Sequence, residues 1–125
     1  MNERDRPHVL VVDDREEMAT VIADALVDHG YVAFAARSGR EALEMLQSER
    51  VDAVVTDLTM PLVDGLEVLR VSQRLDPSRP VILMTGFGAM GSALQAFEVG
   101  AYQYLLKPFR MDTLATVLRN ALARG

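Results

Sequence analysis

The chain has 125 residues, half of them hydrophobic, with a formal net charge of −5, which fits one ordinary globular domain. It has no cysteine, which excludes disulfides and thiolate chemistry, and its acidic balance disfavours direct nucleic-acid binding by this segment. No apolar run approaches the roughly 20 residues of a membrane span, and the polar N-terminus does not resemble a secretory signal, so we expect a cytoplasmic protein.

The first half of the chain alternates short apolar runs with amphipathic stretches. Residues 8–12 predict a strand, and residues 14–29 predict a helix with one apolar stripe. Gly30 is a natural stop for that helix. A second strand is predicted over residues 32–36, and a Ser-x-x-Glu capping box that begins at Ser38 predicts the start of a second helix.

The alternation of apolar runs and amphipathic stretches continues through the centre of the chain. A third strand is predicted over residues 52–57. A loop and a helix over residues 66–73 follow it. A fourth strand is predicted over residues 80–86, and a fourth helix over residues 92–99.

A fifth strand over residues 101–108 and a last helix that begins near Met111 complete the pattern. Five strand–helix units in alternation predict an α/β fold: a (βα)5 three-layer sandwich around a five-stranded parallel sheet. We expect a single domain over residues 1–125, with its core at about residues 8–123. Because strands buried on both faces are apolar throughout, the uninterrupted apolar runs support this arrangement.

Unusual polar residues follow the predicted strands. Asp13 and Asp14 close the first strand, Asp57 closes the third, Thr85 closes the fourth, and Lys107 follows the fifth. In open parallel sheets, ligands bind beyond the carboxyl ends of the strands, near the point where strand order reverses. If the first and third strands are neighbours, three carboxylates converge in one shallow pocket.

The charge of that pocket predicts a bound cation. Three carboxylates and one lysine carry a formal charge of about −2, and oxygen-only ligands in a hydrated site suit Mg²⁺. One of the carboxylates is then a candidate nucleophile. A carboxylate beside a divalent ion and a lysine can attack phosphorus, because both cations neutralise the phosphoryl oxygens.

Four segments, in this order and spacing, resemble the receiver domain of two-component response regulators: VVDD, VVTDLTMPLVDG, LMTGFG and YLLKPF. The resemblance extends from about Val9 to the last helix. It implies a flavodoxin-like strand order of 2-1-3-4-5. The segments MTGFG and FEVGAYQYLLKPF are most similar to receivers fused to sigma-54-type (NtrC-type) activator modules, so we expect the chain to be the N-terminal part of a longer regulator.

The resemblance implies a role for each residue of the pocket. Asp57 is the expected phosphoacceptor, which takes a phosphoryl group from a sensor histidine kinase. Asp13 and Asp14 are expected to hold Mg²⁺ together with Asp57 and the backbone carbonyl of Thr59. The peptide bond Lys107–Pro108 is expected to be cis. The domain is not expected to be an enzyme beyond catalysing its own phosphorylation and dephosphorylation.

The resemblance also implies a switch. Thr85 and Lys107 are expected to bind the phosphoryl oxygens, and Tyr104 is expected to turn inward when Thr85 moves. The surface of the fourth helix, fifth strand and fifth helix would then control a linked output domain, a partner or a homodimer. Met90 and Phe87 are candidates for the apolar part of that surface, and Phe87 also for shielding the acyl phosphate from water.

Simpler explanations stay open at several positions. Asp14 could be the N-cap of the first helix, Asp64 with Gly65 could form a turn, and Lys107 could be a solvated surface lysine. Alternation along the fifth strand places Tyr102 and Tyr104 on the same face.

Three other functions are compatible with the fold or with its chemistry. A flavin binder would need a phosphate loop where this chain carries the acidic run DDREE, and an aspartyl phosphatase would carry a D-x-D arrangement after the first strand. The third is a degenerate receiver that only mediates contacts.

Overall fold

A five-stranded parallel sheet forms the centre of the molecule, as predicted. The structure, a computed structural model, describes residues 5–86, 95 and 97–123. The strands are β1 (His8–Val12), β2 (Val32–Ala36), β3 (Ala53–Asp57), β4 (Val81–Thr85) and β5 (Gln103–Leu106). The helices with described bounds are α1 (Glu16–Asp28), α2 (Gly39–Ser48), α3 (Gly65–Leu75) and the C-terminal helix (Met111–Ala123).

The strand order is β2-β1-β3-β4-β5, and every neighbouring pair is parallel. The order reverses between β1 and β3, because the chain moves outward to β2 before it returns to the other side of β1. In the register of that pair, Val12 lies opposite Thr56. The residues that follow them, Asp13 and Asp57, are therefore neighbours at the carboxyl edge of the sheet.

Helices cover both faces of the sheet and bury it. Alternate residues of β1 point to opposite sides: Leu10 and Val12 belong to a core cluster with α2 and α3, whereas Val9 and Val11 belong to a cluster with α1 and the C-terminal helix. The four side chains have no exposed surface. Burial on both faces explains why the central strands are mainly apolar, and it confirms the predicted three-layer sandwich.

Two predicted helix boundaries are confirmed by their hydrogen bonds. Gly30 adopts a φ of 95°, and the N–H groups of Gly30 and Tyr31 donate to the carbonyls of Val27 and Leu26 at the end of α1. A left-handed residue after a helix is the arrangement that favours glycine. The Ser38 hydroxyl accepts from a backbone N–H at 3.0 Å and caps α2.

Two helices begin one or two residues away from their predicted starts. The N-cap of α1 is Arg15, whose carbonyl accepts the first helical hydrogen bonds, so the alternative of Asp14 as the cap is excluded. Asp64 does not form an independent turn with Gly65. Its carboxylate accepts from the N–H of Glu67 at 3.0 Å and caps α3, which begins at Gly65.

The fifth strand is shorter than predicted, and this shortening separates the two tyrosines. Because β5 begins at Gln103, Tyr102 lies outside the alternation of the strand. Tyr102 packs against the cluster that includes α1, whereas Tyr104 packs against the cluster that includes α3. The prediction that both tyrosines share one face is therefore wrong.

The predicted fourth helix is described only in part. Residues 95 and 97–99 are helical, whereas Phe87, Met90 and residues 92–94 lie outside the described residues. Within the part of the chain that is described, no helix has the length and apolar character to span a bilayer.

Candidate functional site

Three carboxylates meet where β1 and β3 end. Asp13, Asp14 and Asp57 each place one carboxylate oxygen within 4.8 Å of the others. Asp13 has no exposed surface and Asp57 is buried, whereas Asp14 is exposed to solvent. The parallel pairing of β1 with β3 thus produces the convergence that the sequence predicts.

Lys107 brings positive charge to the same edge. Its backbone N–H donates to the Thr85 carbonyl at 2.8 Å, which holds the end of β5 against β4. Its Nζ atom lies 2.9 Å from Asp13 Oδ2 and 3.5 Å from Asp57 Oδ2. The peptide bond to Pro108 is cis, as expected. Lys107 is the only lysine in the chain, and it lies in the carboxylate cluster rather than in solvent.

The surroundings of Asp57 disfavour the ionised form of its carboxyl group. Burial raises the pKa of its carboxyl group above the ordinary value, and the neighbouring Asp13 carboxylate raises that pKa further. Lys107 and the backbone N–H of Thr59 act in the opposite direction without cancelling the rise in pKa. A buried carboxylate with too little compensating charge, in a cluster of oxygen ligands, fits the donor set that Mg²⁺ prefers.

The contacts recorded for Thr85 on β4 and for Tyr104 on β5 are with groups other than the three carboxylates. Thr85 is buried at the end of β4, and its hydroxyl donates to the Gly86 carbonyl at 3.3 Å. The half-buried Tyr104 ring packs edge-on against Phe97, with ring centroids 5.4 Å apart at 71°. These placements are compatible with the expected switch, which stays a prediction.

Sequence reasoning missed Arg15. Its backbone N–H donates to Asp13 Oδ1 at 2.9 Å, and its side-chain Nε atom lies 3.5 Å from the same oxygen. The available signal was a basic residue directly after two aspartates. An Asp side chain readily accepts from the backbone N–H two residues later, which brings the two residues together.

Comparison with known proteins identifies the family. The family model described as the response regulator receiver domain matches residues 9–119. The chain belongs to the response regulator receiver domain family. Similar proteins include the transcriptional regulatory protein ZraR of Escherichia coli K12, which is 37% identical over 95% of this chain and 27% of its own length. The NtrX-like putative response regulator of Rickettsia bellii is 37% identical over 90% of this chain and 24% of its own length.

Solved receiver domains share the fold over nearly the whole chain. A response regulator receiver domain protein from Clostridium thermocellum has a TM-score of 0.90 at 32% identity, covering 94% of this chain and 95% of its own. The receiver domain of NtrX from Brucella abortus has a TM-score of 0.87 at 30% identity, covering 94% and 99%. The receiver domain described here spans 27% of the length of ZraR.

Replacing Asp57 with asparagine is expected to raise the free energy of unfolding of the metal-free receiver domain at neutral pH. The folded state holds the Asp57 proton more tightly than the unfolded chain, so ionisation of Asp57 opposes folding. The gain should therefore be absent below the ordinary carboxyl pKa and should grow as the pH rises through the raised pKa of Asp57. Urea unfolding in EDTA, from about pH 4 to pH 8, measures this difference.

The matched control is Asp112→Asn. The Asp112 carboxylate is exposed and pairs with Arg110 at 3.1 Å, so its neutralisation should not stabilise the fold. An Asp57→Asn variant that is no more stable than the parent domain at neutral pH would contradict the electrostatic description of the site.

Proposed function

We propose that Asp57 accepts a phosphoryl group from the phosphohistidine of a sensor histidine kinase in a Mg²⁺-dependent reaction. The observation that carries this proposal is the grouping of Asp57 with Asp13, Asp14 and the Lys107 amine at one edge of the sheet. Membership of the receiver family supports the same chemistry. The domain would catalyse only its own phosphorylation and dephosphorylation.

In the proposed reaction an Asp57 carboxylate oxygen attacks phosphorus and forms an acyl phosphate. The bond between phosphorus and the imidazole nitrogen breaks, and the nitrogen keeps that electron pair. Asp13, Asp14, Asp57 and the Thr59 carbonyl would hold Mg²⁺, which when bound neutralises charge on the phosphoryl oxygens. Lys107 supplies a second positive charge and exchanges its contact with Asp57 for one with a phosphoryl oxygen.

The proposed output is a shift between two arrangements of the surface formed by the fourth helix, β5 and the C-terminal helix. The phosphoryl group adds about −1.5 to −2 charge and three acceptor oxygens. Thr85, whose hydroxyl now donates to its neighbour's carbonyl, would turn to one of these oxygens. Tyr104 would then move inward, which changes its contact with Phe97 on the fourth helix.

The partners follow from the same proposal. The relatives are about four times longer than their match to this chain and include named transcriptional regulatory proteins. We therefore propose a linked output domain of the sigma-54 activator type, with this receiver as the N-terminal part of a cytoplasmic regulator. A homodimer through the same surface is part of the proposal, whereas direct nucleic-acid contact by the receiver is not.

Intact-mass measurement tests the proposal. Incubation with Mg²⁺ and phosphoramidate, a small phosphodonor, should add the mass of one phosphoryl group, and EDTA or Asp57→Ala should abolish the addition. Asp112→Ala, which removes an exposed carboxylate, should still be labelled. Continuous phosphate release with turnover would instead indicate an aspartyl phosphatase, and binding of FMN would indicate a flavin protein.

A further inference from the structure

Both carboxylate oxygens of Asp13 already have cationic or N–H partners in the protein. Oδ2 lies 2.9 Å from the Lys107 amine. Oδ1 accepts the backbone N–H of Arg15 at 2.9 Å and lies 3.5 Å from Nε of the same residue. The Asp13 side chain has no exposed surface, so these partners replace the water that a carboxylate otherwise binds.

The two cations differ in how firmly they are held. Lys107 is 18% exposed and contacts two carboxylates, Asp13 and Asp57. The Arg15 side chain is 58% exposed and reaches Asp13 from the solvent side, at a longer distance. A partly exposed guanidinium at 3.5 Å gains little from its pairing and can be displaced at low cost.

The positive charge of Arg15 weakens the attraction of the site for a divalent ion. Without Arg15, the three carboxylates and Lys107 carry a formal charge of about −2, which matches one divalent ion. With Arg15 the formal charge is about −1, and a cation that binds Asp13 is repelled by the guanidinium beside it. Arg15 therefore opposes the ion at one of the three carboxylates that would hold it.

We propose that the Arg15 guanidinium is an internal competitor of the divalent cation at Asp13, and that it lowers the affinity of the receiver domain for Mg²⁺. The inference rests on the proposed function, because it concerns the same metal site. Arg15 acts through its contact with Asp13. It sets the Mg²⁺ concentration at which the domain is ready for phosphorylation.

The test is a titration of the receiver domain with Mg²⁺ in the absence of phosphodonor. Calorimetry and backbone amide NMR shifts monitor the binding. Arg15→Gln removes the guanidinium but keeps the backbone N–H that orients Asp13. We expect its dissociation constant for Mg²⁺ to fall by about three- to tenfold at low ionic strength, and the gain to shrink in high salt. Arg15→Lys, which keeps the charge, should bind Mg²⁺ about as the parent does.

The control is Arg74→Gln, which changes the net charge equally at an exposed position in the last turn of α3. Its affinity for Mg²⁺ should stay within twofold of the parent. Thermal unfolding gives a second readout, because a ligand that binds only the folded state stabilises it more as the ratio of ligand concentration to dissociation constant rises. At one limiting Mg²⁺ concentration, the rise in Tm over EDTA should be larger for Arg15→Gln than for the parent.

Two results would overturn the inference. If the parent binds Mg²⁺ and Arg15→Gln binds it equally or more weakly, Arg15 does not compete with the ion, and the proposed function is unaffected. An equal gain in affinity in Arg74→Gln would assign the effect to net charge instead. If neither the parent nor Arg15→Gln binds Mg²⁺, both the inference and the Mg²⁺-dependent reaction fail.

Discussion

Replacing Lys107 with methionine is expected to lower the free energy of unfolding of the metal-free domain by about 2–4 kcal/mol. The Lys107 amine lies 2.9 Å from Asp13 Oδ2 and 3.5 Å from Asp57 Oδ2, and both carboxylates are buried. Methionine keeps most of the apolar stem but leaves two like charges without their common partner. Removing one member of a buried ionic group costs more than the group itself contributes, because the remaining charges stay desolvated.

Saturating Mg²⁺ should recover much of this loss, because the ion supplies positive charge to the same carboxylates. Urea unfolding of the parent and the variant, in EDTA and in Mg²⁺, measures both effects. Arg110→Met is the matched control: Arg110 pairs with Asp112 at 3.1 Å, but both side chains are more than three-quarters exposed, so little stability should be lost. A Lys107→Met variant as stable as the parent in EDTA would contradict the ionic description of the site.

Gly65→Ala is expected to destabilise the domain by about 2–4 kcal/mol and to slow phosphorylation. Gly65 is the first residue of α3, and its N–H donates to the Leu58 carbonyl at 2.9 Å. A Cβ atom at this position would overlap the carbonyl oxygen of Asp57 and would lie 2.7 Å from the Cα atom of Leu58. Both obstacles are backbone, so the clash can be relieved only by moving α3 or the end of β3, which carries the acceptor.

Gly86→Ala provides the comparison for this variant. Among the residues that the structure describes, no atom lies within 4 Å of a Cβ at Gly86, so the substitution should change the free energy of unfolding by no more than about 0.5 kcal/mol. Urea unfolding, together with the initial rate of phosphoryl incorporation, distinguishes the two glycines. Equal stability of Gly65→Ala and Gly86→Ala would show that the approach of α3 to β3 is not as close as described.

The sheet and its layers were predictable because their signal is carried by many residues at once. A strand buried on both faces, such as β1 or β4, has to be apolar along most of its length. Local boundaries were less predictable because single hydrogen bonds decide them. Asp13 takes the N–H of Arg15, and α1 therefore begins after Arg15 rather than at Asp14.

The position of the site was predictable for a topological reason. Parallel strands place their carboxyl ends at one edge, so residues far apart in sequence, such as Asp13 and Lys107, meet there. Side-chain directions were not predictable in this way. The hydrogen bond of the Thr85 hydroxyl with the neighbouring Gly86 carbonyl depends on local geometry that no spacing encodes.

Locating the phosphoryl group decides whether Asp57 is the phosphoacceptor. The domain is phosphorylated with phosphoramidate and Mg²⁺ and then reduced with borohydride, which converts an aspartyl phosphate to homoserine. Peptide mass spectrometry then identifies the converted residue. We expect conversion at Asp57, with none in a sample prepared in EDTA. Conversion at Asp13 or Asp14 instead, or phosphorylation of the domain without any converted aspartate, would contradict it.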